Sequence, residues 1–318
     1  ETFPMNTFAA WLILGAYLAF AIPSWRALLA RISARLGDWS IALFLLPFLL
    51  AANLQPALPD LLRMVVYLAW PAFLLRIRPK SARPMGFFHI LVVLSIWLPI
   101  EPDLFFLLLN LITPGIDLTA SMSPALFELP GITAALAPDV DLPIALLTAV
   151  LLILYLFIIH HPLDDIGFTF KLGAKDLRRA ITGLLAFFAV GLPVGMGMDF
   201  LRFEIEAVEL SAALLSLLSG YLLIALPEEI LFRGVIQNLL VKRFGPASRA
   251  LPLAAFIFGL AHLNNSTLRF DVPNWGYVLM ATLAGLAYGW VWSRSKKVTT
   301  SAITHALVNF VWSTVFTG

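Results

Sequence analysis

The chain has 318 residues, 60% of them hydrophobic and 13% charged, with a formal net charge of +2 and no cysteine. That balance excludes a disordered protein and argues against a soluble enzyme, and repeated apolar runs near bilayer length indicate a multi-pass membrane protein. Without cysteine, disulfides, thiolate catalysis, cysteine zinc sites and iron–sulfur clusters are excluded.

In chain order, apolar segments fall at 6–23, 39–54, 61–75, 86–112, 142–160, 180–198, 210–241, 248–263, 275–293 and 298–317. No basic residue precedes the first run and no small-residue cleavage site follows it, so no cleavable signal peptide is expected. The second and third runs are short beside the roughly 20 residues of a straight span, and "LPIEPD" at 98–103 is placed to break the fourth. Lys and Arg set the orientation. Alternate connections carry Arg26 to Arg35, Arg76 to Arg83, Lys171 to Arg179, Lys242 to Arg249 and Arg294 to Lys297, 17 basic residues in all. The opposite side receives Arg63, Arg202 and Arg269, while Glu101 to Asp141 carries six acids and no base. The expectation is an all-α membrane bundle of about ten transmembrane helices with both termini outside. The Ala/Leu-rich composition and compact loops point to a prokaryotic cytoplasmic membrane.

Within the seventh run, "ALPEEILFRGVIQ" at 225–237 places Glu228, Glu229 and Arg233 in apolar surroundings. An ionisable residue at the centre of a span costs roughly 2.5–3.5 kcal/mol, so three together need a reason. Counted from Lys242, Glu228 lies about 21 Å and Arg233 about 13 Å inside the inner surface. Glu229 and Arg233 stand at i and i+4 with the acid first, the favoured order for an intrahelical ion pair. Glu228 points about 100° away, and Pro227 before it removes a backbone N–H. An unpaired carboxylate in such a place is suited to general acid/base work.

Two later runs add histidines at matching depth. In "AAFIFGLAHLNN", His262 lies about 21 Å beyond Ser248; in "KKVTTSAITHALVNFVW", His305 and Asn309 lie about 12 and 18 Å past Lys297. His305 and Asn309 are also i and i+4, hence on one helix face. Glu228, His262, His305 and Asn309 therefore share one layer, supplied by three spans, and form the candidate site.

"EEILFR", "FGLAH" (Phe258 to His262) and "HALVN" match Glu-Glu-x-x-x-Arg, Phe-x-x-x-His and His-x-x-x-Asn in order. The trio resembles the CPBP family, which contains the type II CAAX prenyl endopeptidases and bacterial proteins linked to bacteriocin processing and self-immunity. The resemblance covers 165–318 and includes "DDIGFTFKLGAKDLRRA"; residues 1–164 are expected to be an accessory bundle of about five spans. It implies intramembrane peptide hydrolysis, with Glu228 and His262 activating water and His305 and Asn309 binding the oxyanion. Glu229, Arg233 and Phe258 would support the site structurally. The implied partners are a membrane-anchored or membrane-inserted protein or peptide substrate and the bilayer, with no nucleic acid.

Two His and one Glu (His262, His305, Glu228) also form a zinc ligand set, but the compact His-Glu-x-x-His motif is absent, and a metal-bound Glu228 would leave no base at that depth. The metal-free version is preferred, with no cofactor, and zinc stays open as the alternative. Other readings are a proton-coupled transporter, which should show paired repeats, and a silent immunity or scaffold member of the family. "GMGMD" (Gly195 to Asp199) misses the Gly-x-Gly-Asp spacing of presenilin-like proteases by one residue. Gly191/Gly195 and Gly285/Gly289 are expected to be helix-packing faces, and His89, His160 and His161 interfacial or structural. Reporters fused at Arg35, Arg83 and Lys297 should read cytoplasmic and one near Leu129 external; an inside reading near Leu129 would reverse the orientation.

Overall fold

The computed structural model describes residues 5–79, 81–113, 129–137, 140–205, 209–245 and 247–317. Lys80, Asp117, Glu128 and Asp139, which enter the charge argument, lie outside the described residues. The described chain is built on eleven continuous helical segments. We number them α1 Met5–Ala19, α2 Pro23–Ala51, α3 Leu58–Ile77, α4 Phe87–Trp97, α5 Pro102–Ile112, α6 Ile144–His160, α7 Ala174–Gly197, α8 Leu210–Phe244, α9 Ala247–Leu260, α10 Trp275–Ser295 and α11 Val298–Val315. Four of them, α2, α3, α7 and α8, are long and apolar enough to cross a membrane, which makes this an integral membrane protein.

Two local features differ from the sequence expectation, and one expected break is present. The stretch bearing Arg26, Arg31 and Arg35 is helical, running from Pro23 through a 3₁₀ segment (Gly37–Phe44) into the apolar Leu45–Ala51, rather than being a connection. Helix propensity is high there, and Pro23 sits at the first helical position, where its missing N–H costs nothing. The fourth apolar run does break: α4 ends at Trp97 and α5 begins at Pro102. Two small antiparallel strand pairs, Thr133–Ala137 with Val140–Pro143 and Arg202–Phe203 with Phe316–Thr317, accompany the helices.

Contacts divide the chain into two units, Glu1–Leu163 and Asp164–Gly318. In the first, α6 is the core helix: from Ile144 to Leu154 it is apolar on every side except Thr148, and it is buried from Leu147 to Phe157. A helix hydrophobic all round belongs in an interior. At its last turn, Tyr155 donates to Ser33 Oγ (2.9 Å) and His160 Nε2 lies 3.0 Å from Asp38 Oδ1, so this histidine serves structure.

The second unit is organised around α10, which packs against α7, α8, α9 and α11. Small residues allow the close approaches. A Cβ on Gly259 of α9 would lie 2.1 Å from Thr282 Oγ1, and one on Gly289 would lie 2.4 Å from Gln237 Oε1 and Leu251. Gly285 similarly faces the Ala255 backbone, so Gly285 and Gly289 are packing positions. Gly195 packs on Leu201 and Met280, whereas the side chain nearest Gly191 is Phe187 of its own helix.

Residues 164–173 cross the start of α11 as an irregular segment that opens with a turn. Thr299 Oγ1 donates to Thr169 O (2.7 Å), Lys297 Nζ reaches Lys171 O and Asp176 Oδ2 (2.7 Å each), and Asn238 Nδ2 donates to Asp164 O (2.6 Å). Gly167 makes the crossing feasible: its φ is +70°, and a Cβ there would lie 1.9 Å from Lys296 O. Gly167→Ala should therefore lower stability by about 1–3 kcal/mol through backbone strain alone, more with the clash, read as a fall in the thermal midpoint of the purified protein in detergent. An unchanged midpoint would mean that this crossing does not hold α11.

Candidate active site

Helix α8 presents the acidic pair through an irregular backbone. A short α-helical turn, Leu226–Glu229, lies between two π-helical turns, Gly220–Ala225 and Ile230–Gln237. Pro227 cannot donate to the helical ladder, and a wider π turn is one way a helix absorbs that loss. The result sends the adjacent carboxylates to different environments. Glu229 is fully buried; the Glu228 side chain is 32% exposed and faces a cavity.

Glu229 is the hub of the buried side. Its Oε2 lies 3.3 Å from Arg233 Nε, the ion pair expected from the i, i+4 spacing, with both side chains at 0% exposure. Ser301 Oγ stands 2.5 Å from the same oxygen and 2.8 Å from Tyr288 O. His305 Nδ1–H donates to Glu229 Oε1 at 3.2 Å. One carboxylate thus ties α8 to α11 at two points. The Arg233 guanidinium lies over the Phe258 ring at 4.7 Å and near Tyr288 at 5.8 Å, cation–π contacts that partly replace water around the buried charge.

Phe258, expected only as support, touches nearly every part of the site. Its ring makes edge contacts with His262 (4.8 Å), His305 (5.7 Å), Phe232 (5.0 Å) and Tyr288 (5.9 Å). Such pairs contribute about 0.5–1.5 kcal/mol each beyond their buried area. Its carbonyl accepts a hydrogen bond from His262 Nδ1 at 2.9 Å.

His262 does not lie within a helix, as the run to residue 263 implied. Helix α9 stops at Leu260, and His262 occupies the turn that follows. Asn274 holds that turn: its N–H donates to Leu263 O (2.9 Å), its Nδ2 to Asn265 O (3.0 Å), and its Oδ1 caps α10 by accepting from Tyr277 N (2.8 Å). The sequence signal was available in "HLNN…PNW", where an Asn immediately precedes an aromatic helix start.

All four candidate residues border one cavity of about 330 Å³: Glu228, His262, His305 and Asn309, on α8, after α9, and on α11. His305 Nε2 is 3.9 Å from Glu228 Oε2, and that oxygen takes no hydrogen bond from any described residue. Each histidine uses Nδ1 on a fixed acceptor, so Nε2 is the nitrogen left for chemistry in both. Helix α10 closes the cavity with Tyr277, Met280, Ala281, Ala284 and Tyr288, at spacings that mark one helical face. The two alanines leave the space. These lining tyrosines, with Asn265 and Trp312, were not anticipated; the 277/281/284/288 spacing was the signal that could have found them.

The zinc alternative meets a geometric difficulty. Among the described residues, no three of His, Asp or Glu are grouped as a metal ion would require. Asp199, in the "GMGMD" stretch, forms ion pairs with Arg202 (3.0 Å) and with Arg269 at the surface. The first unit holds a larger cavity of about 670 Å³ between α3 and α4, but its lining is almost wholly apolar.

The fold and cavity describe an α-helical membrane protein with a carboxylate, two imidazoles and an amide gathered in its second unit. Residues 210–311, about a third of the chain, match the family described as Type II CAAX prenyl endopeptidase Rce1-like, and this part of the chain is similar to an Rce1-like domain. No curated protein and no solved structure matches the chain. Because Arg233 alone balances the charge of Glu229 from within α8, Arg233→Ala should destabilise the protein by about 3–5 kcal/mol. Arg233→Lys should recover only part of that, since an ammonium cannot lie flat on Phe258. Thermal unfolding and folded yield in detergent would show both effects.

Proposed function

We propose that the chain is an intramembrane endopeptidase that hydrolyses a peptide bond in a membrane-anchored or membrane-inserted protein or peptide. The observation that carries this reading is the cavity shared by Glu228, His262, His305 and Asn309, within a segment of Rce1-like sequence. Glu228 is the base. It would take a proton from a water held between its carboxylate and His262 Nε2, and the resulting hydroxide would attack the scissile carbonyl carbon. The carbonyl oxygen becomes the oxyanion and accepts hydrogen bonds from Asn309 Nδ2 and His305 Nε2–H.

For His305 to donate from Nε2 while Nδ1–H is held by Glu229, the ring must carry both protons. Glu229 is already paired with Arg233, so the second charge would be balanced by the Glu228 carboxylate, 3.9 Å from His305 Nε2, and by the oxyanion once Glu228 holds the proton. Glu229 orients the ring through Nδ1–H. Collapse of the tetrahedral intermediate breaks the C–N bond, and the proton on Glu228 passes to the leaving amine nitrogen. Preorganised donors of this kind are typically worth about 2.7–4 kcal/mol each. No step is routed through a metal, because the donor set does not draw together as a three-ligand group.

Glu228→Gln should abolish hydrolysis of a membrane-anchored reporter peptide while leaving thermal stability nearly unchanged, since it keeps the shape and removes the base. Asn309→Ala should lower kcat by about 10²–10³ with little change in KM, the loss expected for one oxyanion donor. Full activity in Glu228→Gln would refute the base assignment. Purified protein should retain activity in a strong chelator; stoichiometric zinc whose removal and return track activity would replace this scheme with a metalloprotease.

A further inference from the structure

Tyr277 and Tyr288 are separated by eleven residues on α10, about three turns, so they lie on one helix face with an offset of about 20°. Each is stacked on a different histidine of the site. Tyr277 and His262 have ring centroids 5.2 Å apart and planes at 20°; Tyr288 and His305 are 4.5 Å apart at 16°. Two histidines from different parts of the chain thus meet the same template helix in the same manner.

A single hydrogen bond does not set the plane of an imidazole. The χ2 torsion of histidine is broad, and an Nδ1–H bond to an oxygen leaves the ring free to swing about the N–H direction. Here His262 is held at Nδ1 by Phe258 O and His305 at Nδ1 by Glu229 Oε1. The stacked tyrosine supplies the missing constraint by fixing the ring face. Both tyrosines are themselves held from behind. Trp312 stacks on Tyr277 at 6.0 Å and 19°, and Phe200 meets it edge-on at 5.7 Å. Tyr288 is 1% exposed and has the Arg233 guanidinium 5.8 Å from its ring.

We infer that Tyr277 and Tyr288 are positioning residues: each fixes the plane of one site histidine, so that both Nε2 atoms address the cavity beside Glu228. This inference rests on the proposed peptidase reading for its purpose but not for its test. The full-length protein, isotope-labelled at histidine, contains only five imidazoles, and the signals of His262 and His305 are assigned by their loss in His262→Gln and His305→Gln. Ring protons held against an aromatic face resonate upfield. Tyr277→Leu should move the His262 signals downfield toward the free-imidazole position and leave His305 in place, and Tyr277→Phe, which keeps the ring, should leave His262 as in the wild type. Tyr288→Leu should do the converse at His305. Tyr288 is fully buried; should its leucine variant not fold, the half-buried Tyr277 pair of variants decides the matter alone. Unmoved His262 signals in Tyr277→Leu, or equal movement of all five histidines, would overturn the inference. If the signals move as stated in a protein that hydrolyses no peptide, the positioning role stands and the peptidase reading falls.

Discussion

The second unit depends on a buried ion pair between Glu229 and Arg233, each side chain at 0% exposure. Neither charge is tolerable alone in such surroundings, and their mutual attraction offsets desolvation only when other polar groups complete the coordination. Hydrogen bonds meet that requirement for the carboxylate, whereas the guanidinium nitrogens donate none to any described residue and rest against aromatic rings instead. Ser301 and His305 come from α11 to the Glu229 carboxylate, while Phe258 and Tyr288 offer aromatic faces to the guanidinium. The need to satisfy one pair therefore gathers four helices around one point. The candidate chemistry sits one residue away, at Glu228.

That one-residue step is decisive because α8 is not a uniform helix there. Regular geometry would already separate neighbouring side chains by about 100°. The π turns on either side of Leu226–Glu229 adjust the register further, so that Glu229 faces the packed interior and Glu228 the cavity. Irregular helix within a bilayer is tolerated where protein or a cavity surrounds it, and both do so here. The irregular segment from Asp164 to Gly173 adds a clamp at the start of α11, holding the helix that carries His305 and Asn309.

Helix α10 carries none of the four candidate groups, yet every other helix of the unit packs on it. Glycines on its outer faces admit α8 and α9 to close contact, and alanines on its inner face leave the cavity open. The same face carries the two tyrosines that meet the histidines. A helix of this composition is only moderately hydropathic, which is why it falls outside the group long and apolar enough to cross a membrane by those measures alone.

Much of the site was legible in the residues themselves. An acid, an arginine and two histidines inside apolar runs announce cost and therefore purpose, and the i, i+4 spacings of Glu229/Arg233 and His305/Asn309 correctly anticipated an ion pair and a shared cavity-lining face. Helical periodicity carries that much because it relates residues a few positions apart. What it cannot carry is which face of one helix meets which face of another. The Glu229–His305 hydrogen bond spans 76 positions and the Thr169–Thr299 bond 130; both follow from rotation and close approach of packed helices. The same holds for His262, whose turn beyond α9 is tied by Asn274, and for the tyrosines that fix the imidazole planes. The sequence by itself determined which groups must be hidden from lipid and which neighbours along a helix could pair. Tertiary packing alone decided which atom of each group faces the cavity, because that depends on contacts between elements whose separation in the chain carries no record of their separation in space.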